Sequence, residues 1–469
     1  MTRALVLSLI VAGAARAQPE DPPRPQPLPY VPPAPGYEPA PEPAPLPEDP
    51  PAPVVEQPAP VIDEAAPEPE PVEPQPGPDP ELADAWRQVE PRTIGVLLPL
   101  TGAQDKLGRA ARDAIELALA PLGLRVLVRD TGSDPARAAE EARRLVAVDR
   151  VTALLGPIAR AECEASAAVS RRFVVPHVVL ASVVPPAADA AAPDPVRRFR
   201  TSPAELARAL ARHARLALAV ERVAIVHPTS LAGRESARAF AEAFAELGGT
   251  VVKVIDYPAG ALPGGDLMPT LMDAKRRGKK VVAGFDAVVV PDQGAAGLRL
   301  AGELAAWGVP LRMGPGAAAG RVQVLGLNGF ATPLLVDHVT ALTDNAVFAE
   351  PWAAAVGDPT FVLSFMSKHG RPPVAFHAEA FDAATWLGRA VVTLDGGDQT
   401  LRLAVASALS ADVSWLGATG TVTVSAGRVA PRAHLLTLQG ASIRPRASED
   451  EELRLRAPPP EPTATGSAP

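Results

Sequence analysis

A continuous apolar run over 93–100 ends in Thr101 and Gly102, and a helical periodicity of 3.6 follows over 110–120. An uninterrupted apolar strand that gives way to a helix is the opening β-loop-α of a parallel sheet. The same alternation repeats down the chain. A strand over 124–130 leads through Ser133, Asp134 and Pro135 into a helix over 136–148, with Asp134 placed to cap it and Pro135 suited to its first turn. Strand 151–155 ends in Gly156-Pro157, a helix spans 160–172, and strand 174–180 ends in Ala181-Ser182. After Phe199-Arg200-Thr201, the segment Ser202-Pro203-Ala204-Glu205 has the form of a capping box and starts a new helix.

A second series repeats the first: strand 223–227, helix 235–247, strand 251–257, a helix around 269–277, strand 287–290, helix 295–307 and strand 322–325. Helices over 361–369 and 379–394 follow, and strand-like segments over 421–425 and 434–438 close the folded part. Two consecutive four-strand series in about 350 residues predict an α/β fold with two doubly wound lobes, since one core does not grow to that size. Ligands of such sheets sit beyond the carboxyl ends of the strands. That rule marks Thr101, Gly102, Gly156, Pro157, Ala181 and Ser182 as candidate binding residues.

Composition changes the picture at the two ends. Residues 19–80 hold 26 of the 56 prolines, with 13 acidic residues against one basic, Arg24. Such a segment lacks the backbone donors and apolar area to fold, so 18–91 is expected to be a disordered, polyproline-rich arm, and its residues 19–80 alone reach roughly 190 Å when extended. The arm over 19–80 carries −12 and the whole chain −8, which leaves +4 for everything else. A nearly neutral folded part without a basic stripe excludes nucleic acid as partner. Residues 441–469 are expected to form a disordered tail.

The first residues carry Arg3, an apolar stretch over 4–14 and Ala15-Arg16-Ala17, a signal-peptide pattern with cleavage expected after Ala17. The stretch is too short to span a membrane, and no later one reaches the length required. No cysteine follows the cleavage site, so a lipid-anchored start is not expected and the mature protein is expected in the periplasm. The single cysteine, Cys163, forms no disulfide within the chain and is read as a small residue on a helix. The seven histidines show no metal-binding spacing, and no nucleophile elbow or phosphate loop is present. No catalytic residue, metal or cofactor is expected, and the protein is not expected to be an enzyme.

The ordered stretches 94–102, 129–135, 153–157, 199–200, 244–252, 286–291, 378–383 and 417–422 resemble the type I periplasmic binding proteins of the leucine/isoleucine/valine-binding family. The resemblance implies two Rossmann-like lobes joined by a three-crossing hinge, with 92–200 plus 331–440 forming lobe 1 with its closing strands and 201–330 forming lobe 2. It implies a ligand trapped as the lobes close, an ABC-type permease as partner, and no chemistry.

In that family a small hydroxyl residue after the Gly-Pro turn and a Ser or Thr after the fourth strand hold an amino-acid carboxylate. Here Gly156-Pro157 is followed by Ile158 and Ala159, and Ala181-Ser182 keeps the second feature. The family's ammonium-binding Glu falls in a turn that reads Gly326-Leu327-Asn328-Gly329 here. The resemblance places Leu231 beside the lobe 2 aromatic position, which is vacant, and the strand-end rule adds Asp292, Gln293 and Asn328. The expected function is capture of a small polar ligand, amino acid-like or related.

A second branch of the superfamily, the penicillin-binding protein activators, is similar over 324–330 and 345–348. That resemblance implies an envelope interaction protein with a peptidoglycan synthase as partner and a vestigial cleft.

Overall fold

The computed structural model describes residues 88–184, 194–272, 283–312, 322–327, 329–331, 344–394, 396–440 and 442–446. The expectations for the leader, the arm over 18–87, most of the tail, and Asn328 lie outside the described residues.

The first sheet is fully parallel, in the order β2-β1-β3-β4-β5. Its strands are β1 (Glu90–Leu98), β2 (Arg125–Asp130), β3 (Val151–Leu155), β4 (His177–Val179) and β5 (Val196–Arg198). From Thr93 to Leu98 every residue of β1 is buried, because helices cover both faces of the sheet. The connecting helices are α1 (Asp105–Leu119), α2 (Pro135–Ala147) and α3 (Arg160–Phe173). Helix α1 starts five residues before its periodicity is visible. Its first turn lies against the end of β1, where a side chain at Gly108 would meet the Pro99 carbonyl oxygen at 2.0 Å.

The second sheet has seven strands in the order β15-β14-β10-β9-β8-β6-β7. It contains β6 (Arg222–Pro228), β7 (Thr250–Tyr257), β8 (Ala287–Val290), β9 (Gln323–Leu327) and β10 (Val347–Glu350), which are mutually parallel. Strands β14 (His434–Gln439) and β15 (Ser442–Pro445) extend it antiparallel. Its helices include α4 (Pro203–Leu216), α5 (Leu231–Glu246), α6 (Met268–Leu271) and α7 (Gly294–Ala306). The β7-β6-β8-β9-β10 order repeats the winding of the first sheet, so the chain folds as two doubly wound lobes.

Three further helices, α8 (Pro359–His369), α9 (Ala375–Val392) and α10 (Gln399–Ala408), return to the first sheet. There Phe361, Phe365, Leu387 and Leu401 share one core with Ile94, Val96 and Leu98. A small antiparallel sheet of β11 (Val413–Gly417), β12 (Gly420–Ser425) and β13 (Arg428–Val429) completes that side.

The chain therefore passes between lobes three times: from β5 to α4 through Phe199 to Ser202, from β10 to α8, and from β13 to β14. Two sequence expectations need correction here. The stretch 331–440, assigned wholly to lobe 1, contributes β10 and β14 to the second sheet, where Val347 pairs with Leu325 and Phe348 with Leu436. A local pattern identifies a strand but not its partner across 20 or 90 residues. The tail boundary also moves, because Ser442–Pro445 pairs with β14 through Leu438 and Ile443.

Candidate functional site

All three crossings adjoin the carboxyl edges of the parallel strands. The first leaves the end of β5, the second leaves the end of β10, and the third enters β14 at His434, opposite Glu350. The carboxyl edges of both sheets thus adjoin the crossings, and it is beyond such edges that parallel sheets of this kind take their ligands.

In the first lobe these loops are stitched together by Asp130 at the end of β2. One carboxylate oxygen accepts the N–H groups of Leu100 (2.8 Å), Thr101 (3.1 Å) and Gly132 (2.9 Å), and the other accepts the Thr101 hydroxyl at 2.7 Å. Burial alone would raise the Asp130 pKa, but the Thr101 hydroxyl and the three N–H groups outweigh it and hold the carboxylate below its usual range. The Ser133 hydroxyl donates to the Thr101 carbonyl at 3.0 Å and accepts the Gln104 N–H at 3.0 Å. Gly102 adopts φ +84°, and any Cβ there would lie 2.4 Å from the Gly132 carbonyl oxygen. Thr101 is exposed and its proton is engaged by Asp130, so toward a ligand it is an acceptor.

The end of β3 is equally constrained. Gly156 has φ +88°, and a Cβ would meet the Leu97 carbonyl oxygen at 2.1 Å. The peptide bond to Pro157 is cis. Behind the turn His177 is fully buried, with Nδ1 2.8 Å from the Ser170 hydroxyl and Nε2 against the Gly156 carbonyl. Burial lowers its pKa to about 4, so this imidazole is neutral and structural. Ile158 is buried, and Ala159 begins α3 without a side-chain cap. Cys163 is a buried helix residue whose thiol donates to the Pro157 carbonyl at 3.3 Å, and burial pushes its pKa up.

The N-terminus of α3 follows the Gly156 turn, and a helix start of this kind favours an anion. In the structure the Glu162 carboxyl lies in the first turn of α3, where Thr131 donates its hydroxyl to it. Glu162 is 1 % exposed, and burial raises its pKa. A negative group already occupies the favourable end of the helix dipole, so the turn at Gly156 is a poor seat for a carboxylate. The one trace of that group in the sequence is a Glu at the third helical position, where an acidic side chain suits the helix dipole.

After β4, Ala181 is buried and Ser182 is half-buried. The Ser182 hydroxyl makes no hydrogen bond among the described residues, while its carbonyl accepts Arg198 Nη1 at 3.2 Å. Thr101, Gly102, the 156–159 turn, Ala181 and Ser182 therefore all fall on one carboxyl edge.

In the second lobe Leu231, exposed at the start of α5, and Asp292 and Gln293, ahead of α7, lie at the corresponding edge. Asp292 accepts the Tyr257 phenol at 2.6 Å, a partner the sequence did not suggest. Gln293 is exposed and precedes α7 without capping it through its side chain.

The crossings carry an ionic cluster that sequence reasoning also missed. Glu379, fully buried, accepts Arg200 Nε at 2.8 Å and the Thr201 N–H at 3.2 Å. Arg200 lies 4.7 Å over the Phe376 ring, and Arg432 lies 4.4 Å over Phe199. Asp382 accepts Ala418 N–H (2.7 Å), Thr419 N–H (2.8 Å) and the Thr419 hydroxyl (2.6 Å). Thus one face of α9 fastens the first crossing and the small sheet through two carboxylates that follow in the 378–383 segment.

Among the described residues no group of His, Cys, Asp and Glu is placed to hold a metal, and no helix is long and apolar enough to cross a membrane.

Two lobes of matching winding joined by three chain crossings define a type I periplasmic-binding-protein fold. The chain belongs to the periplasmic binding protein family, whose sequence model matches residues 91–439. Among similar solved structures, a leucine-binding protein from Thermotoga maritima has a TM-score of 0.56 at 21% identity, covering 76% of this chain and 97% of its own. A substrate-binding protein from Desulfitobacterium hafniense in complex with leucine gives 0.58 at 18% identity, covering 76% and 100%. A solute-binding protein from Rhodopseudomonas palustris in complex with 3,4-dihydroxybenzoic acid gives 0.56 at 18% identity, covering 74% and 94%. At these identities the likeness is one of fold. No curated protein matches the sequence.

Proposed function

We propose that the protein is an exported solute-binding protein that captures a small polar ligand between its lobes and presents it to an ABC-type permease. The observation that carries this reading is the convergence of both carboxyl edges on the three crossings, with Thr101 and Ser182 offering an acceptor and an uncommitted hydroxyl on the same edge. Export rests on the leader over 1–17, and the similar solute-binding structures support capture over a synthase-activating role.

The buried carboxyl of Glu162 disfavours a carboxylate at the Gly156 turn, so the ligand is a neutral polar molecule or one whose charge is met elsewhere in the cleft. Amides and hydroxylated compounds are expected to bind better than simple carboxylates.

Thermal-shift measurements with amino acids, aliphatic amides and small aromatic or aliphatic acids test this reading. A ligand with an affinity of about 10 μM should add about 2.7 kcal/mol at a hundredfold excess, and Ser182→Ala should reduce that gain. No shift with any compound at about 1 mM would remove capture as the function.

A further inference from the structure

The first sheet has an open edge at β5, which pairs with β4 alone. Its other side faces β13 of the small antiparallel sheet without pairing to it. Between the two strands lies a cavity of about 840 Å³, walled by Val196 and Arg197 on one side and by Ser425 to Pro431 on the other. It runs along β5 from Asp194, ahead of the strand, to Arg198 and Glu205. The cavity therefore lies at the side of the sheet, and none of the strand-end candidate residues belongs to its lining. Its volume is within the roughly 300–1,000 Å³ of small-molecule sites.

The lining is charged, and its acidic members are already occupied. Asp194 accepts Arg171 on both carboxylate oxygens (3.1 and 2.9 Å) and the Val196 N–H at 3.0 Å. Glu205 accepts both terminal nitrogens of Arg198, at 2.8 and 2.6 Å, and completes the capping box of α4. Asp412, just outside the lining, accepts the Ser425 hydroxyl (3.0 Å) and the Ala426 N–H (2.9 Å).

Two arginines of the lining have no such partner. Arg197 is half-buried and bonds only to neutral groups: the Asp194 and Val196 carbonyls through Nη1, and the Ser410 hydroxyl through Nη2 at 2.9 Å. Its Nε is buried without an acceptor and lies against Gly427, where a Cβ would come within 2.4 Å of it. Glycine at φ +71° is what lets the turn between β12 and β13 close over this guanidinium. Arg428, the next residue, is exposed on β13 and makes no ion pair among the described residues. Burial works against the Arg197 charge. Two cations beside one cavity, neither with a counter-ion, favour an anion that supplies it. Guanidinium forks match the oxygens of carboxylate and phosphate groups.

We propose that this cavity is a binding site for a small polyanion, a di- or tricarboxylate or a phosphate compound, held between Arg197 and Arg428. The site goes beyond solute capture at the strand ends and shares no residue with it, so the two readings stand or fall separately.

Isothermal titration of the full chain with citrate and with pyrophosphate, against acetate and glycerol, tests it. At low salt one of the two polyanions should bind more tightly than acetate by about tenfold or more, and the tighter of the two names the carboxylate or phosphate class. Arg428→Gln, at an exposed position, should weaken that binding about tenfold with an unchanged melting temperature. Arg389→Gln, which removes the same charge from an exposed position on α9, should leave it unchanged, as should Ser182→Ala at the strand ends. No heat with either polyanion, acetate binding as tightly as both, or equal weakening by Arg428→Gln and Arg389→Gln would each overturn the proposal. Loss of binding in Ser182→Ala but not in Arg428→Gln would overturn it as well, by placing the anion in the cleft.

Discussion

At the scale of single residues, the strand-end turns are shaped from behind by groups buried beneath them. His177 is the clearest case, since its neutral ring joins the Ser170 hydroxyl to the Gly156 carbonyl and so fixes the turn at the end of β3. Its folded pKa of about 4 lies below the ordinary 6.5, so between those values the unfolded chain binds the extra proton. The stability it contributes is complete above about pH 6.5 and is lost as pH falls toward 4. His377, lowered to about 4 by burial and by Arg371, adds to the same limb. Glu350 works the other way, because its raised pKa favours the folded state at low pH and that advantage fades between the ordinary carboxylate value and about 7. A His177→Gln variant isolates the first contribution. Urea unfolding from pH 6.5 to 4.5 should show the wild type losing on the order of 2 kcal/mol more than the variant, and parallel pH dependences would refute the assignment.

At the scale of elements, the crossings are bound to one another as well as to the lobes. Thr201 in the first crossing donates its N–H to Glu379 and accepts the Arg432 N–H from the third at 2.9 Å. Thr201→Val keeps the shape but leaves that buried N–H without an acceptor, which should cost about 1–3 kcal/mol. Equilibrium unfolding of the variant measures it, and a loss below about 0.5 kcal/mol would mean that the crossings are not coupled through this bond.

The elements also show what a sequence carries. Strand β8 was legible to the residue, because burial on both faces gives an unbroken apolar run with a sharp end. Strand β5 was not, since Val196-Arg197-Arg198 is three residues long and its half-buried arginines are held by the Asp194 backbone carbonyl and the Glu205 carboxylate rather than by apolar contact. Likewise Thr101, Gly156 and Ser182 were readable as strand-end positions. Glu162, Tyr257 and Glu350 were not, since each takes its role from a partner 20 to 35 residues away and in isolation looks like an ordinary helix or strand residue.

At the scale of the molecule, three crossings mean that neither lobe is one continuous piece of chain. The sequence marks 201–330 as a unit, but the sheet built there continues through β10, β14 and β15. Phe348, Leu436 and Leu438 belong to the same core as Val288, Val290 and Leu300, and Phe330 stacks on Phe348 at 5.5 Å. A fragment of residues 203–331 would keep four of the seven strands and expose β9 as an edge lined by groups that are buried in the whole protein. Losing a fully buried Phe and two buried Leu removes roughly 5–8 kcal/mol of apolar burial, comparable to the entire stability of a small domain. The fragment should therefore show no cooperative thermal transition by circular dichroism, whereas residues 88–446 should unfold cooperatively. A sharp melt for 203–331 would show that the second lobe folds alone. The hinge would then be a tether between finished domains, whereas interwoven lobes require the chain to cross and return before the second sheet is complete.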